Sequence, residues 1–409
     1  MNPDLLRHRR ITGSPCGTTL LIDGRKVLSF ASNDYLGLAA DSRLIEALAE
    51  GARQWGAGSG ASHFLGGHFQ PHQKLEERLA AFVGAERALL FSTGYLANLG
   101  VIPALVGRHE TIFADRLNHA SLIDAVRLSG AKSRRYPHLD LSALSTLVTA
   151  HPPTLIVTDA VFSMEGDIAP LPELLALANQ HNAYLLVDDA HGFGVLGKQG
   201  RGTLAHFNLT THDRWPLVNN ETTRQAVMGC STLTPHGKCL LMGTLGKAAG
   251  ISGAFVAGDA SVIEGLIQNA RTAIYTTAAP PHLAHALLTS LDILEESDDR
   301  RAHLRHLIQQ LRAGLAPICK RTGWKLLPSE TPIQPLVIGG NQETLTVANT
   351  LLEQGIWAPA IRPPTVPNGQ ARLRISLSAA HREEEVARLV NALTTYADKA
   401  PDQSPMPDR

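Results

Sequence analysis

The sequence has few cysteines and no net charge. Its 409 residues include four cysteines, Cys16, Cys230, Cys239 and Cys319, without a C-x-x-C pair or a disulfide-like spacing. This usage is typical of reduced thiols in the cytoplasm, and we assign these residues no chemistry. Lysine plus arginine and aspartate plus glutamate both number 37, which gives no general attraction for nucleic acid or anionic lipid. The expected partners are therefore small molecules.

A long apolar run near the N-terminus is also missing. Residues Met1–Gly13 carry Arg7, Arg9 and Arg10, but no apolar stretch follows them. We therefore expect neither a signal peptide nor a membrane span, and we expect a cytoplasmic protein. The last residues, Pro401–Arg409, are rich in proline and aspartate, and this composition predicts a disordered tail.

What the sequence does contain is a regular alternation of helix-like and short apolar segments from about Ser42 to Val195. Lys74–Val83 has helical spacing and stops at Gly84, and Ala88–Phe91 then follows as a buried strand. Such alternation is typical of a parallel sheet covered by helices on both faces, so the predicted fold class is α/β.

The pattern changes twice along the chain. Thr203–Gly237 is polar, threonine-rich and weakly periodic, which indicates an insertion. After about Pro281 a long helical stretch leads to short strands, which suggests a smaller α+β domain. The predicted organisation is an N-terminal segment 1–37, a large domain 38–285 with the insertion 203–237, a small C-terminal domain 286–400 and the tail 401–409.

Two candidate sites follow predicted strands. VDDAH, Val187–His191, places two carboxylates and a histidine at a strand end, where α/β sheets bind ligands; helix capping with a surface histidine is the alternative. GTLGK, Gly243–Lys247, sets a lysine in a glycine-lined turn, where partial desolvation favours the neutral amine that a Schiff base requires. The alternative is a solvated lysine. A P-loop is disfavoured because Ala248 follows in place of a hydroxyl residue.

A third candidate site, STGY at Ser92–Tyr95, lies between a predicted strand and the helix that begins near Leu96. Free N–H groups at a helix N-terminus bind phosphate, although such turns open many helices without binding anything. In this order, the phosphate turn, the aspartate with histidine and the lysine resemble the fold-type I pyridoxal-phosphate (PLP) enzymes. The resemblance implies a mainly parallel large domain, a smaller α+β C-terminal domain and PLP as cofactor.

Longer strings are similar to one family within that group, the α-oxoamine synthases. They are SNDYLGL (32–38), GSGAS (58–62), DRLNHAS (115–121), VFSMEGD (161–167) and DDAHGFG (188–194). The resemblance implies that Lys247 holds the cofactor and acts as a general base, and that Asp188 pairs with the pyridine nitrogen. It further implies that His191 bonds the ring hydroxyl, and that His119 lies against the ring and reaches the substrate carboxylate.

The same resemblance implies further contacts. The implied phosphate ligands are Gly94, Tyr95 and Thr244, the residue beside the ring oxygen is Ser163, and the residues lent across a homodimer interface are Thr276 and Thr277. The implied substrate residues are Arg7, Asn33, Arg362 and Thr365, together with His119.

The C-terminal string Ala360–His381 is most similar to the family members that condense L-alanine with a pimeloyl thioester in biotin synthesis. The thioester would be carried by coenzyme A or by an acyl carrier protein. Open alternatives are a member that takes glycine and an acetyl thioester, an aminotransferase of the same fold and a non-catalytic cofactor sensor.

A metal site is not expected. His63, His68 and His72 are close in sequence, but Pro71 interrupts a helix that would align the last two, and no cysteine or carboxylate cluster completes a tetrahedral set.

Overall fold

The structure is a computed structural model that describes residues 9–211 and 238–399. Arg7, Cys230, residues 212–237 of the predicted insertion and the predicted tail lie outside the described residues. Packing of the backbone divides the chain into two compact units. The large unit comprises 41–162 and 168–298, and the small unit comprises the residues up to Ala40, 163–167 and the residues from Asp299 onward. The predicted domain boundaries stay a prediction.

The strands in chain order are β1 (Thr19–Ile22), β2 (Arg25–Ser29), β3 (Arg87–Phe91), β4 (Thr111–Asp115), β5 (Lys132–Tyr136), β6 (Leu155–Asp159), β7 (Tyr184–Asp188), β8 (Cys239–Thr244), β9 (Ala254–Gly258), β10 (Lys325–Leu326), β11 (Ile333–Gly339), β12 (Ile356–Trp357), β13 (Ala360–Ile361) and β14 (Ala371–Ser376).

The described α-helices are α1 (Ser42–Trp55), α2 (Gln70–Val83), α3 (Gly94–Leu105), α4 (Ala120–Ser129), α5 (Leu141–Ala150), α6 (Leu171–Gln180), α7 (Thr203–His206), α8 (Ala260–Asn269), α9 (Arg271–Ile274), α10 (Pro281–Glu296), α11 (Asp298–Thr322), α12 (Asn341–Glu353) and α13 (Glu383–Lys399). Among them, α7 occupies the start of the predicted insertion. In the described ranges, no helix combines the length and apolar character needed to cross a bilayer.

The large unit is built on one seven-stranded sheet in the order β3-β9-β8-β7-β6-β4-β5. Neighbours from β8 to β5 are parallel, whereas β9 runs antiparallel to both β3 and β8. The predicted α/β class with a mainly parallel sheet is confirmed. The helix predicted at Lys74–Val83 is also confirmed as part of α2, and Gly84 ends it with a φ of +70°, a left-handed value that glycine adopts without strain.

Successive residues of a strand point to opposite faces of the sheet, and both faces of its inner strands are buried. On one face, Leu186 and Leu240 belong to a core cluster that includes Val101 of α3 and Leu122 of α4. On the other face, the Phe255 ring packs 5.1 Å from the Phe193 ring, and Phe193 in turn lies 5.5 Å from Phe82 of α2. Burial on both sides explains why the inner strands β6, β7, β8 and β9 are apolar runs without alternation, whereas the edge strand β5 is polar and mostly exposed.

The small unit contains two sheets, β1-β2-β12 and β10-β11-β14-β13. In the first sheet β12 pairs in parallel with β2, so strands from the two ends of the chain share one sheet. In the second sheet β14 pairs antiparallel with β11 and with β13. With α11, α12 and α13, these sheets confirm the predicted smaller α+β domain.

One buried carboxyl supports the edge of the large sheet. Strand β3 is an edge strand, and Glu76 of α2 accepts a hydrogen bond from the backbone N–H of Leu90 at 2.9 Å. Burial raises the pKa of Glu76 to about 7, with Leu90 and Arg87 opposing that rise. The folded protein therefore retains a proton on Glu76 at a pH at which the unfolded chain has released it.

We predict that Glu76→Gln is stabilised relative to the parent protein as pH rises from 5 to 8. Between the unfolded and folded pKa values the folded state binds more protons, so the parent protein loses stability as pH rises through about 7. The amide of the variant does not titrate and has no such cost. The unfolding free energy of the variant minus that of the parent protein should therefore grow by about 1 kcal/mol or more from pH 5 to pH 8. Urea unfolding at pH 5, 6, 7 and 8 measures it. The exposed neighbour Glu77→Gln serves as control, and a difference equal at every pH would contradict the prediction.

Candidate active site

Two aspartates meet at the carboxyl end of the large sheet. The parallel register of β6 and β7 places Asp159 directly beside Asp188, and both are buried. Asp188 accepts hydrogen bonds from Asn98 Nδ2 at 2.8 Å and from the backbone N–H of Ala190 at 3.1 Å. Burial and the neighbouring Asp188 raise the pKa of Asp159 well above its usual range. Asp159 is therefore the member of the pair that favours its protonated form, whereas the oxygens of Asp188 accept hydrogen bonds from two donors.

Lys247 lies in the turn that follows β8, as the sequence predicted for the GTLGK segment. Its Nζ is 2.9 Å from Nε2 of His191, which follows β7 and is buried. Because β7 and β8 are parallel neighbours, their carboxyl ends bring these two residues together. The structure thus unites the amine with the aspartate and histidine of the VDDAH segment.

His119 begins α4 and lies beside the same group. Its backbone N–H donates to Asp159 Oδ2 at 2.6 Å, and its Nδ1 is 2.8 Å from Ser121 Oγ. Part of the ring reaches solvent, but the protein beneath it desolvates the ring and lowers the pKa of His119, an effect that Lys247 reinforces and Asp188 opposes. A neutral imidazole is therefore the main form at neutral pH.

The first turn of α3 faces the end of β8. A Cβ placed on Gly94 would lie 3.4 Å from Met242 Cε and 4.0 Å from Thr244 Cβ. Thr93 caps the helix by accepting the N–H of Leu96 at 3.2 Å, which leaves other first-turn N–H groups without a partner inside the helix. This arrangement suits an anion such as phosphate, and it places the predicted ligands Gly94 and Thr244 together.

Tyr95, the remaining predicted phosphate ligand, is directed to a carboxylate. Its hydroxyl donates to Asp124 Oδ2 at 2.5 Å, and this hydrogen bond raises the pKa of Tyr95. The tyrosine is exposed on the first turn of α3. Its assignment to the cofactor stays a prediction.

The loop that carries His191 is fixed by a third buried aspartate, Asp189. Its two oxygens accept the hydroxyl of Thr203 at 2.5 Å and the backbone N–H of Thr203 at 2.8 Å. A Cβ on Gly192 or Gly202 would lie only 2.1 or 2.2 Å from this carboxyl group, so both positions require glycine. Burial raises the pKa of Asp189 to about 7, with the Thr203 hydrogen bonds opposing it.

Thr276 and Thr277 lie in the segment after α9. The next residues tie this segment to the chain near residue 60: Ala278 N–H donates to the Ala61 carbonyl at 3.0 Å, and Ser59 Oγ donates to the Ala279 carbonyl at 2.6 Å. Thr277 is exposed. The prediction that both threonines act across a dimer interface stays a prediction.

The remaining predicted residues belong to the small unit. Asn33 Oδ1 accepts hydrogen bonds from Tyr35 at 3.1 Å and from both terminal nitrogens of Arg374 at 3.2 Å. Arg374 Nε also donates to the Ser163 carbonyl at 2.5 Å. Arg362 is half-buried and its carbonyl accepts the N–H of the exposed Thr365 at 3.0 Å. Their roles toward substrate stay predictions.

Several residues of these networks were not identified from the sequence. Asn98 donates to Asp188, Asp159 accepts the backbone N–H of His119, and Arg374 donates to Asn33. An available signal was an isolated polar residue in an apolar element: Asn98 stands in the helix YLANLGVIPAL, and Arg374 in the strand ARLRIS. Such residues need buried partners.

The histidines considered for a metal do come together. His63, His68 and His72 each have a ring nitrogen within 4.8 Å of the others. His72 Nδ1 accepts the backbone N–H of Phe69 at 3.0 Å, and its Nε2 lies 2.8 Å from the Ala279 carbonyl, so both of its nitrogens are engaged. That the cluster holds no metal stays a prediction.

Comparisons with known proteins give a consistent result. Residues 25–393 match the family described as aminotransferase class I and II. The 8-amino-7-oxononanoate synthase of Azoarcus sp. (strain BH72) is 56% identical over 391 residues, which is 95% of this chain and 93% of that protein. The solved 8-amino-7-oxononanoate synthase of Francisella tularensis is 31% identical, with a TM-score of 0.75 over 91% of this chain and 98% of that one.

Solved structures of serine palmitoyltransferase are also similar. One holds a PLP internal aldimine, and another, from S. paucimobilis, holds a bound PLP–myriocin aldimine. Each is 27% identical to this chain, with a TM-score of 0.84 over 95% of this chain and 92% of theirs.

We predict that Thr203→Val, which keeps the shape of the side chain, lowers the unfolding free energy by about 1 to 3 kcal/mol because Asp189 loses a buried donor. The loss should be larger at pH 8 than at pH 5.5, because the Asp189 carboxyl is ionised above its pKa of about 7. Thr203→Ser keeps the hydroxyl and serves as control. Urea unfolding of the three proteins measures the effect, and equal losses in the valine and serine variants would contradict it.

Proposed function

The chain belongs to the family of 8-amino-7-oxononanoate synthases, within the class I and II aminotransferases, and we propose that it joins L-alanine to a pimeloyl thioester in biotin synthesis. The family resemblance found in the sequence motifs is thereby confirmed, and with it the dependence on PLP and the classification as an acyltransferase. The observation that carries the reaction is the convergence of Lys247, His191 and the charged Asp188 at neighbouring strand ends.

Pyridoxal phosphate fits this set of side chains. A primary amine at Lys247 can bond its aldehyde, the carboxylate of Asp188 can accept a hydrogen bond from its protonated pyridine nitrogen, and the N-terminus of α3 can bind its phosphate. Gly94 lies close to Thr244, whose hydroxyl donates to the Gly253 carbonyl at 3.2 Å, so the N-terminus of α3 and this threonine are neighbours. When bound, PLP supplies a cationic ring that accepts the electrons released at the Cα of an amino acid.

In the proposed reaction Lys247 first holds the cofactor and then, as a free amine, removes the Cα proton of L-alanine at Nζ. A carbon–carbon bond forms between that Cα and the pimeloyl carbonyl carbon, while the carbon–sulfur bond breaks and the thiol leaves. The alanine carboxylate then departs as carbon dioxide, and Cα regains a proton to give 8-amino-7-oxononanoate. Asp188 keeps the ring proton in place throughout.

His191 and His119 orient the reacting groups. The Nε2 atom of His191 lies 2.9 Å from the Lys247 amine. We assign to His191 a hydrogen bond with the ring hydroxyl of PLP. His119 is uncharged at neutral pH. A neutral imidazole can pack flat against the PLP ring and direct one ring nitrogen toward the substrate carboxylate. Ser163, Thr276 and Thr277 keep the cofactor roles implied by the motifs.

For the substrate we assign the alanine carboxylate to Arg362, whose planar guanidinium can form two parallel hydrogen bonds with a carboxylate. Asn33 and Thr365 complete this set, with Arg7 as a further cation outside the described residues. We also propose that the enzyme acts as a cytoplasmic homodimer and accepts the pimeloyl group from coenzyme A or an acyl carrier protein.

We predict that the purified protein with PLP releases thiol from pimeloyl-coenzyme A only when L-alanine is present, with product of the mass of 8-amino-7-oxononanoate. Thiol release and mass spectrometry measure the reaction. Faster turnover of glycine with acetyl-coenzyme A would assign the chain to the other family reaction, and conversion of alanine to pyruvate without thiol release would indicate an aminotransferase.

Replacement of the lysine tests the covalent step. We expect Lys247→Ala to lose at least about 1,000-fold in kcat/KM, because both the attachment and the proton transfer depend on its amine. Borohydride should trap PLP on Lys247 in the parent protein. Lys238→Ala is the matched control, since Lys238 donates to the Asn182 carbonyl and lies over the Tyr184 ring; equal losses in both variants would refute the assignment.

A further inference from the structure

Asn98 is a buried amide in the middle of the apolar helix α3. Its side chain has no exposure to solvent, and its Nδ2 donates to two groups, Asp188 Oδ2 at 2.8 Å and Ser121 Oγ at 2.9 Å. Its Oδ1 has no hydrogen-bond partner among the described residues. A buried carbonyl oxygen without a donor is destabilising, so the orientation of this amide is maintained at the expense of stability.

The charge of Asp188 explains that orientation. A carboxylate can only accept hydrogen bonds, so the amide must present its nitrogen and not its oxygen to Asp188. The second N–H of Nδ2 then points to Ser121, and Ser121 Oγ must accept it. The Ser121 hydroxyl hydrogen is thereby left for the other neighbour, His119 Nδ1 at 2.8 Å.

A backbone N–H group also donates to Nδ1 of His119. The Ser121 N–H also donates to His119 Nδ1, at 3.3 Å. Two donors directed at Nδ1 require a lone pair there, so the ring proton of the neutral imidazole is on Nε2. One chain of hydrogen bonds, from Asp188 through Asn98 and Ser121 to His119, sets the proton positions of both predicted cofactor residues.

We propose that Asn98 is a positioning residue of the active site, whose single amide nitrogen holds Asp188 as the anion facing the cofactor and holds His119 in its Nε2–H form. The proposal rests on the proposed function, because it assumes that PLP binds between these residues. Asn98 itself would touch neither PLP nor substrate; it acts through Asp188 and Ser121.

The first test is the binding of PLP to Asn98→Leu, which keeps most of the volume and removes both hydrogen bonds. We expect the Kd for PLP, measured by the absorbance of the bound cofactor, to rise about tenfold or more, which is the effect of losing one hydrogen bond to a charged group. The pH midpoint of that absorbance should also shift. A wild-type Kd together with a wild-type midpoint would overturn the proposal.

The second variant, Asn98→Asp, keeps the shape of the amide and guards against misfolding of the leucine variant. At pH 6 the two carboxyls at 98 and 188 can share a proton, so position 98 still donates and the Kd should remain within a few-fold of that of the parent protein. At pH 9 both carboxyls are ionised, and binding should be about tenfold weaker or worse. The surrounding titratable groups Asp159, His119 and Lys247 are common to both proteins, so a pH dependence identical to that of the parent would refute the role.

Two further variants complete the test: one breaks only the hydrogen bonds toward His119, and the other controls for lost stability. Ser121→Ala should retain PLP affinity within about twofold, since the hydrogen bond from Asn98 to Asp188 remains, but nitrogen NMR of labelled histidine should show loss of the fixed Nε2–H form of His119. Gln334→Leu removes a buried amide of the small unit and controls for lost stability. It should lower the melting temperature without moving the cofactor absorbance; a shift equal to that of Asn98→Leu would make the effect structural and overturn the proposal.

These results are distinguishable from failure of the proposed function. If the parent protein binds no PLP at all, the function itself is wrong. If the parent binds PLP and converts alanine with pimeloyl-coenzyme A while Asn98→Leu matches it in Kd and pH midpoint, only the role of Asn98 is wrong.

Discussion

The arrangement of the large unit depends on one buried negative charge, that of Asp188. An ionised carboxylate away from water needs hydrogen-bond donors, and here Asn98 and the N–H of Ala190 supply them. Asp159, beside it in the next strand, cannot also be charged at low cost, which is why burial and repulsion raise its pKa. The choice of which aspartate is ionised therefore follows from the donors around each one.

Much of this unit could be predicted from the sequence, because its signals are local. Apolar runs such as TLIVT and YLLV identify buried strands, and in a parallel sheet the residues after such runs gather at one edge. By that rule Asp188, His191 and Lys247 are expected at the ends of neighbouring strands. The family motifs then supplied the chemistry, which periodicity alone could not provide.

Other features could not be predicted because they depend on contacts between distant parts of the chain. The pairing of β2 with β12 joins residues more than 300 positions apart, and no local pattern encodes that choice of partner. The hydrogen bonds of Arg374 to Asn33 and to Ser163 are of the same kind. Asn98 differs: a lone amide in an apolar helix signals a buried partner, but its partners, Asp188 of β7 and Ser121 of α4, lie 90 and 23 residues away along the chain.

The hydrogen bonds between Asp189 and Thr203 connect the loop of His191 to the segment read as an insertion. Both the backbone and the side chain of Thr203 are anchored to a residue adjacent to Asp188. Because Thr203 is also the first residue of the segment read as an insertion, this anchor fixes the point at which that segment begins. Loss of the Thr203 hydroxyl would therefore loosen two features at once, the loop that carries His191 and the start of the segment that follows it.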